Sequence, residues 1–336
     1  MMDITTTGYS NQTNDTYEIS GEKYVRYLNI IVFFEASMCV LIVIGNGFII
    51  TLIARRRLLG RSTNIFVFSI ATADFLNGIL SIPAHVLFLV LGGDLTVYLC
   101  KCHKFVMYLT KTVVPYTILF MTAEKTMRVL CPTREIVTVA RCMFFTSLWW
   151  FFSAAFNIWS VVLYTKGTVS VSDTEAPTYQ IPSCVLNSRF IDLHTAFLLT
   201  DVIIIFVIPT LAIFGLYCVL VRNNFTVLRE RILTYFYVIK LFIALFVTFV
   251  LCQLPLEIFT FLDSRRKPFS LIYVLASHFA TSLYFTRGVW NLVIYAYFKH
   301  YVCRKRQFSS IRANGAFRAG NMGAPSLRQR FRPRDR

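Results

Sequence analysis

Seven stretches of this chain, near residues 28-53, 65-91, 101-129, 141-164, 191-221, 233-262 and 270-297, are apolar for about 20 residues or more. That is the length a helix needs to cross a hydrocarbon core about 30 Å thick. In such a solvent every backbone N–H and C=O must be bonded within the protein, so a bundle of spanning helices is the architecture open to these segments. Composition agrees: 56% of residues are hydrophobic and 15% charged, where a soluble domain has roughly half and a quarter. The expected fold is an all-α membrane protein with a seven-transmembrane helix bundle. The polar stretch Arg222 to Ile232 reads as a tight loop between the fifth and sixth spans.

The formal net charge of +17 raises nucleic acid as a partner, but the position of the charges argues for membrane lipid and against nucleic acid. Around the loops after spans one, three and five and in the tail from Lys299 there are 23 Lys and Arg, against nine on the other side. By the positive-inside rule this puts the amino terminus outside the cell and the carboxyl terminus in the cytoplasm. Residues 1-27 are polar, with no apolar core of a cleavable signal, so the first span is expected to target the chain. Asn11 and Asn14 open two glycosylation sequons in that tail. The expected organisation is an extracellular glycosylated tail over 1-27, the bundle with a short following helix over 28-308, and a basic tail over 309-336. The tail is rich in Gly, Arg, Pro and Ser from Arg312 and is expected to be disordered.

Residues at particular depths in the spans carry a resemblance. Span one has Gly45-Asn46, and span two has Ile70-Ala71-Thr72-Ala73-Asp74. Span three begins at Cys100 and ends in Glu124-Lys125-Thr126, with Pro132 six residues on, and span four carries Trp149 and Trp150. Pro209 and Tyr217 lie in span five, Phe249-x-x-Cys252-Gln253-Leu254-Pro255 in span six, and Asn291-Leu292-Val293-Ile294-Tyr295 in span seven. This ordered set resembles the rhodopsin-like, or class A, G-protein-coupled receptors, as a divergent member, over residues about 30 to 308. The aromatic and basic run from Ala296 to Lys305 is similar to the family's amphipathic eighth helix.

The resemblance implies a set of roles. Cys184, in a loop on the outer side, is expected to pair with Cys100, with Cys102 as the competing partner; Cys100, Cys102 and His103 as a metal site lacks a fourth ligand. Asn46, Asp74 and Asn291 correspond to the family's polar core, which holds sodium. Here Val114 stands where the family has a hydroxyl, and Arg287 where it has a neutral Asn. Arg287 is therefore expected to replace sodium beside Asp74, the alternatives being snorkelling or another acid. Glu124, Lys125, Tyr217, Phe249, Pro255, Asn291 and Tyr295 correspond to the coupling and activation machinery. Lys125 takes the place of the family's Arg and lacks its planar fork; Gln253 replaces a Trp and Leu292 a Pro. Pro115 is expected to kink span three. Cys303, beside basic residues, is a palmitoylation candidate.

For the ligand, Met107 occupies the position of the aminergic Asp, and Phe285 that of the opsin Lys, so neither chemistry is supported. What remains in the outer half is Lys111, Asp201 and Glu257, with Tyr108, Gln253 and Tyr284. Lys111 is expected to pair with Glu257 or Asp201, leaving one carboxylate for a basic group on an extracellular ligand, a peptide being favoured. The expected partners are that ligand and a heterotrimeric G protein at the plasma membrane, with no cofactor. A constitutively active or decoy receptor has the same fold. No enzyme motif occurs, the five His are scattered without metal-ligand spacing, and no internal repeat supports a transporter.

Overall fold

A computed structural model describes the backbone of residues 11–56, 58–90, 96–131, 137–173, 176–227, 232–263 and 270–322. The helices are α1 (Asn11–Arg55), α2 (Ser62–Leu76), α3 (Ile82–Val90), α4 (Thr96–Leu130), α5 (Val139–Phe156), α6 (Trp159–Leu163), α7 (Ile191–Asp201), α8 (Ile208–Val227), α9 (Ile232–Asp263) and α10 (Leu271–Met322). Among the described residues six spans meet the length and apolarity needed to cross a membrane: Val25–Arg55, Ser62–Val90, Val97–Arg128, Val139–Leu163, Thr195–Val219 and Ile243–Leu262. The seventh, at the start of α10, is diluted by His278, Arg287 and Asn291.

The distribution of side chains is inverted relative to a soluble protein. Phe33, Ile44, Phe48, Phe144, Phe151, Phe214, Leu251 and Phe279 stand exposed on the outside. Glu35, Asp74, Lys111, Asp201, Glu257 and Arg287 are buried. Lipid is the solvent that makes both placements favourable at once.

Two spans contain a wider, five-residue-bonded turn: Asn77–Ser81 joins α2 to α3, and Val202–Val207 joins α7 to α8. Such a turn adds a residue and rotates everything beyond it relative to what lies before. The first lies between Asp74 and His85, and the second begins just after Asp201. Span four breaks instead at Asn157, whose side-chain amide donates to the Ser153 carbonyl at 2.8 Å and to Thr112 Oγ1 on α4 at 2.9 Å. The break thus fastens span four to span three. Gly78 lets spans one and two approach closely, since a Cβ there would lie 2.8 Å from Val43 Cγ2 and 3.1 Å from Ile42 Cγ2.

Between α6 and α7 the chain forms an antiparallel hairpin, β1 (Tyr164–Asp173) and β2 (Ala176–Leu186), with Lys166 opposite Cys184 and an irregularity between Val171 and Asp173. Nothing in the reading of the sequence placed strands here. In retrospect Thr168-Val169-Ser170-Val171 alternates polar and β-branched residues, the pattern of a half-buried strand.

Helix α4 continues through Pro115, as a long membrane helix can where neighbouring groups make up the lost bond. Helix α10 runs without interruption to Met322 and does not mark off a short eighth helix after Tyr295. The run from Ala296 to Lys305 has no Gly or Pro to break the helix. Two compact units can be distinguished, Met1–Leu292 and Val293–Arg336. In the second, Tyr297 is exposed and meets Phe298 edge-on, 5.5 Å between ring centres. Pro132 and residues 323–336 lie outside the described residues, as do the side chains of Asn11, Asn14 and Cys303.

Candidate functional site

Asp74, 1% exposed, sits at the middle of the bundle. Asn291 Nδ2 donates to its Oδ2 at 2.7 Å, and Arg287 Nη2 donates to Oδ1 at 3.3 Å. Arg287 is four residues before Asn291, so both reach Asp74 from one face of span seven. The guanidinium also lies over the Tyr284 ring, 4.8 Å from its centre. Asn46 is buried but donates to the carbonyl of Ile42 in its own helix at 3.0 Å; it does not join Asp74, which corrects its assignment to that cluster. With Val114 buried in place of a hydroxyl and a guanidinium already on the carboxylate, these residues do not fit a sodium ion. The positive charge is supplied by the chain itself.

One helical turn or more toward the hairpin lies a second charged cluster. Lys111 Nζ is 2.6 Å from Glu257 Oε1 and 3.7 Å from Asp201 Oδ2, and it lies over the Tyr108 ring at 4.7 Å. Gln253 Nε2 donates to the same Glu257 oxygen at 2.9 Å. Lys111 therefore reaches both carboxylates, but unequally. Glu257 is held by two donors, while neither oxygen of Asp201 has a hydrogen-bond partner although the residue is 1% exposed. Tyr284, also buried, shares its hydroxyl with Thr110 Oγ1 at 3.0 Å and the Met107 carbonyl at 3.2 Å. Met107, Tyr108 and Gln253 are buried with it.

The hairpin closes this end of the bundle. Cys184 of β2 is disulfide-bonded to Cys100 at the start of span three, and Cys102 is free. Tyr164, first residue of β1, meets the Tyr108 hydroxyl at 3.0 Å, and Trp159 stacks on Phe197 with 5.0 Å between ring centres. Replacing Cys184 with Ser should cost about 2–5 kcal/mol, typical for loss of a native disulfide, and should loosen the hairpin. The thermal melt of purified protein would show a clear drop, with a matching rise in hydrogen exchange over 164–186.

At the opposite end, Glu124 is gripped by several donors. Ser62 Oγ donates to its Oε1 at 2.7 Å, Lys125 Nζ lies 2.8 Å from Oε2, and Arg128 Nε donates to Oε1. Arg128 Nη2 reaches the Val137 carbonyl at 3.2 Å, tying the following loop to the same point. Lys125 thus bonds Glu124 and does not bridge to Tyr217, which is 38% exposed. Phe249 is fully buried between Phe206 and Phe246, 6.4 Å from each. Pro255 lies within α9. Tyr295 belongs to the second unit and is half-buried there. Of the two candidate Trp residues, Trp150 reaches span two, donating to Ser69 Oγ at 2.9 Å, whereas Trp149 packs on Tyr116 at 4.0 Å.

A family model described as 7 transmembrane receptor (rhodopsin family) matches residues 45–295. The chain belongs to that family. No curated protein matches the chain closely enough to count as a relative. The receptor therefore departs from its family at defined points, and the geometry above says what each departure does. Gln253 serves Glu257, Arg287 serves Asp74, and Leu292 packs where Gly45 leaves room for it.

Two groups escaped the sequence reading. Arg128 was legible as an i,i+4 partner of Glu124. Glu35, a lone acid in an apolar run, is fully buried and bonds His85 and Ser282; an intramembrane acid is itself the signal.

Proposed function

We propose that this receptor binds an extracellular ligand bearing a basic group, a peptide being favoured, and activates a heterotrimeric G protein on the cytoplasmic side. The reading has the amino-terminal tail outside and glycosylated, and the chain in the plasma membrane. Asp201 carries it: a buried carboxylate with no hydrogen-bond partner, beside a lysine held mainly by another acid. A guanidinium or ammonium from a ligand would give both oxygens their missing donors, and a charge-assisted bond in a dry site is strong. Tyr108, buried with its ring against Lys111, supplies apolar surface beside the same lysine.

The test is a set of Arg- and Lys-containing peptides assayed for G-protein activation by wild type, Asp201→Asn and Glu257→Gln at matched surface expression. Loss of one partner of a buried charged hydrogen bond costs 2–5 kcal/mol, so Asp201→Asn should weaken an active peptide by roughly 30-fold or more. Glu257→Gln, which frees Lys111, should weaken it less. An active peptide indifferent to Asp201 would refute the pocket assignment.

A second reading is a receptor that signals without ligand, or binds without coupling. It is favoured by Lys125, whose ammonium supplies charge but no fork, and by the absence of the family's Trp at Gln253.

A further inference from the structure

The buried side-chain atoms that lack a hydrogen-bond partner differ in kind between the two charged clusters. Around Tyr284 they are mixed: Arg287 Nε and Nη1 are donors and Asn77 Oδ1 is an acceptor. Both residues meet Tyr284, Arg287 over its ring at 4.8 Å and Asn77 through the hydroxyl at 3.4 Å. Donors and acceptors in such a mixture are what a buried water joins. Around Lys111, by contrast, the unpartnered atoms among the described residues are acceptors: both oxygens of Asp201 and Oε1 of Gln253, each on a buried side chain. Gln253 donates to Glu257 Oε1, the oxygen that lies 2.6 Å from Lys111 Nζ, while Asp201 Oδ2 lies 3.7 Å from the same nitrogen, so Gln253 and Asp201 flank one lysine.

Charge is short in the same place and with the same sign. Lys111 brings one positive charge to two carboxylates, and Arg287 is already engaged by Asp74. One carboxylate charge is left uncompensated in a dry interior, where that is costly. Water would satisfy the acceptors but not the charge. An ammonium would bring charge, but its donors radiate from one atom, and it would stand as a second point cation beside Lys111. A guanidinium spreads its charge over a plane with five N–H bonds. Two parallel ones match the two oxygens of a carboxylate, and another remains for Gln253 Oε1. The backbone prepares this carboxylate: Asp201 immediately precedes the wide turn Val202–Val207, a feature frequent at functional sites, and is buried although Leu199 and Thr200 just before it are exposed.

We propose that the ligand group seated at Asp201 is a guanidinium, gripped by two parallel N–H···O bonds, and that the site discriminates it from an ammonium of equal charge. The inference rests on the reading that Asp201 receives a basic group of an extracellular ligand, and it narrows that group to one chemistry. In a peptide it makes arginine the anchoring residue and lysine a poor substitute.

The test uses the full-length receptor in lipid nanodiscs and three small monocations: n-butylguanidinium, n-butylammonium, and pentanamidinium, which keeps the planar fork on a different skeleton. Dissociation constants are read by saturation-transfer nuclear magnetic resonance on wild type and on Asp201→Asn, whose folding is checked by its thermal melt. Butylguanidinium should bind wild type about tenfold or more tightly than butylammonium, the effect of one charged hydrogen bond. Pentanamidinium should side with the guanidinium, and the preference for both over the ammonium should collapse in Asp201→Asn. Butylammonium or pentanamidinium breaking this order on wild type, with every probe weakened in Asp201→Asn, overturns the forked guanidinium and leaves the basic-ligand reading standing. A preference that persists in Asp201→Asn, or no binding of any probe to wild type, overturns both. The order of the three probes is read on wild type alone, so it decides the matter even where Asp201→Asn does not fold.

Discussion

Asp74→Leu is expected to destabilise the receptor by about 3–5 kcal/mol, because it leaves the Arg287 guanidinium buried with no opposite charge. For a chain of this size that is a fall in melting temperature of roughly 10 °C. Arg287→Leu should cost less. A stranded carboxylate can take up a proton and keep its bond from Asn291, whereas a guanidinium cannot shed its proton. The double variant Asp74→Leu/Arg287→Leu should return to within about 1–2 kcal/mol of wild type, since replacing a whole buried pair by apolar groups is often near neutral. Thermal melts of the three purified variants measure this directly. The same melts in NaCl and KCl should coincide for wild type, because the cation at Asp74 is Arg287. A sodium-specific stabilisation of wild type would contradict that assignment.

Glu124→Ala should raise ligand-free signalling. Glu124 holds Ser62 of span two, Lys125 and Arg128 at one point, and Arg128 in turn holds the loop at Val137. Hydrogen bonds to charged groups contribute about 1.5–3 kcal/mol each. If the contacts belong to the resting arrangement alone, losing even one shifts the balance of states by about tenfold. A G-protein dissociation assay at matched surface expression should show basal activity several times that of wild type. Glu124→Gln retains an acceptor for Ser62 and should fall between the two.

What the sequence made legible were the charges that lipid penalises. Asp74, Lys111, Asp201, Glu257 and Arg287 each stand alone in an apolar run, and the structure brings them together in two buried clusters. The Cys100–Cys184 bond was readable only through the family resemblance, since Cys102 competes on spacing alone. The stacking of His85 on His103 and the approach of His278 to His85 were not readable at all. Each is a single histidine on a different span, and only the packing of α3, α4 and α10 makes them neighbours. The wide turns at Asn77–Ser81 and Val202–Val207 were equally hidden, because neither an Asn-Gly pair nor a β-branched run specifies the wider turn, which is settled by what the rotated side chains meet. Asn46 shows the converse: a motif residue in its expected place whose amide bonds its own helix instead of the polar core.

On the cytoplasmic side the proposal makes Lys125, which Glu124 holds at 2.8 Å, the group that a G protein would engage. Ligand-free G-protein activation in cells, compared among wild type, Lys125→Ala, Glu124→Ala and Glu124→Ala/Lys125→Ala at matched surface expression, tests it most directly. The account predicts that Glu124→Ala raises activity above wild type and that adding Lys125→Ala abolishes the rise. Activity that stays at the level of cells lacking the receptor in all four, or a rise that survives loss of Lys125, would contradict it.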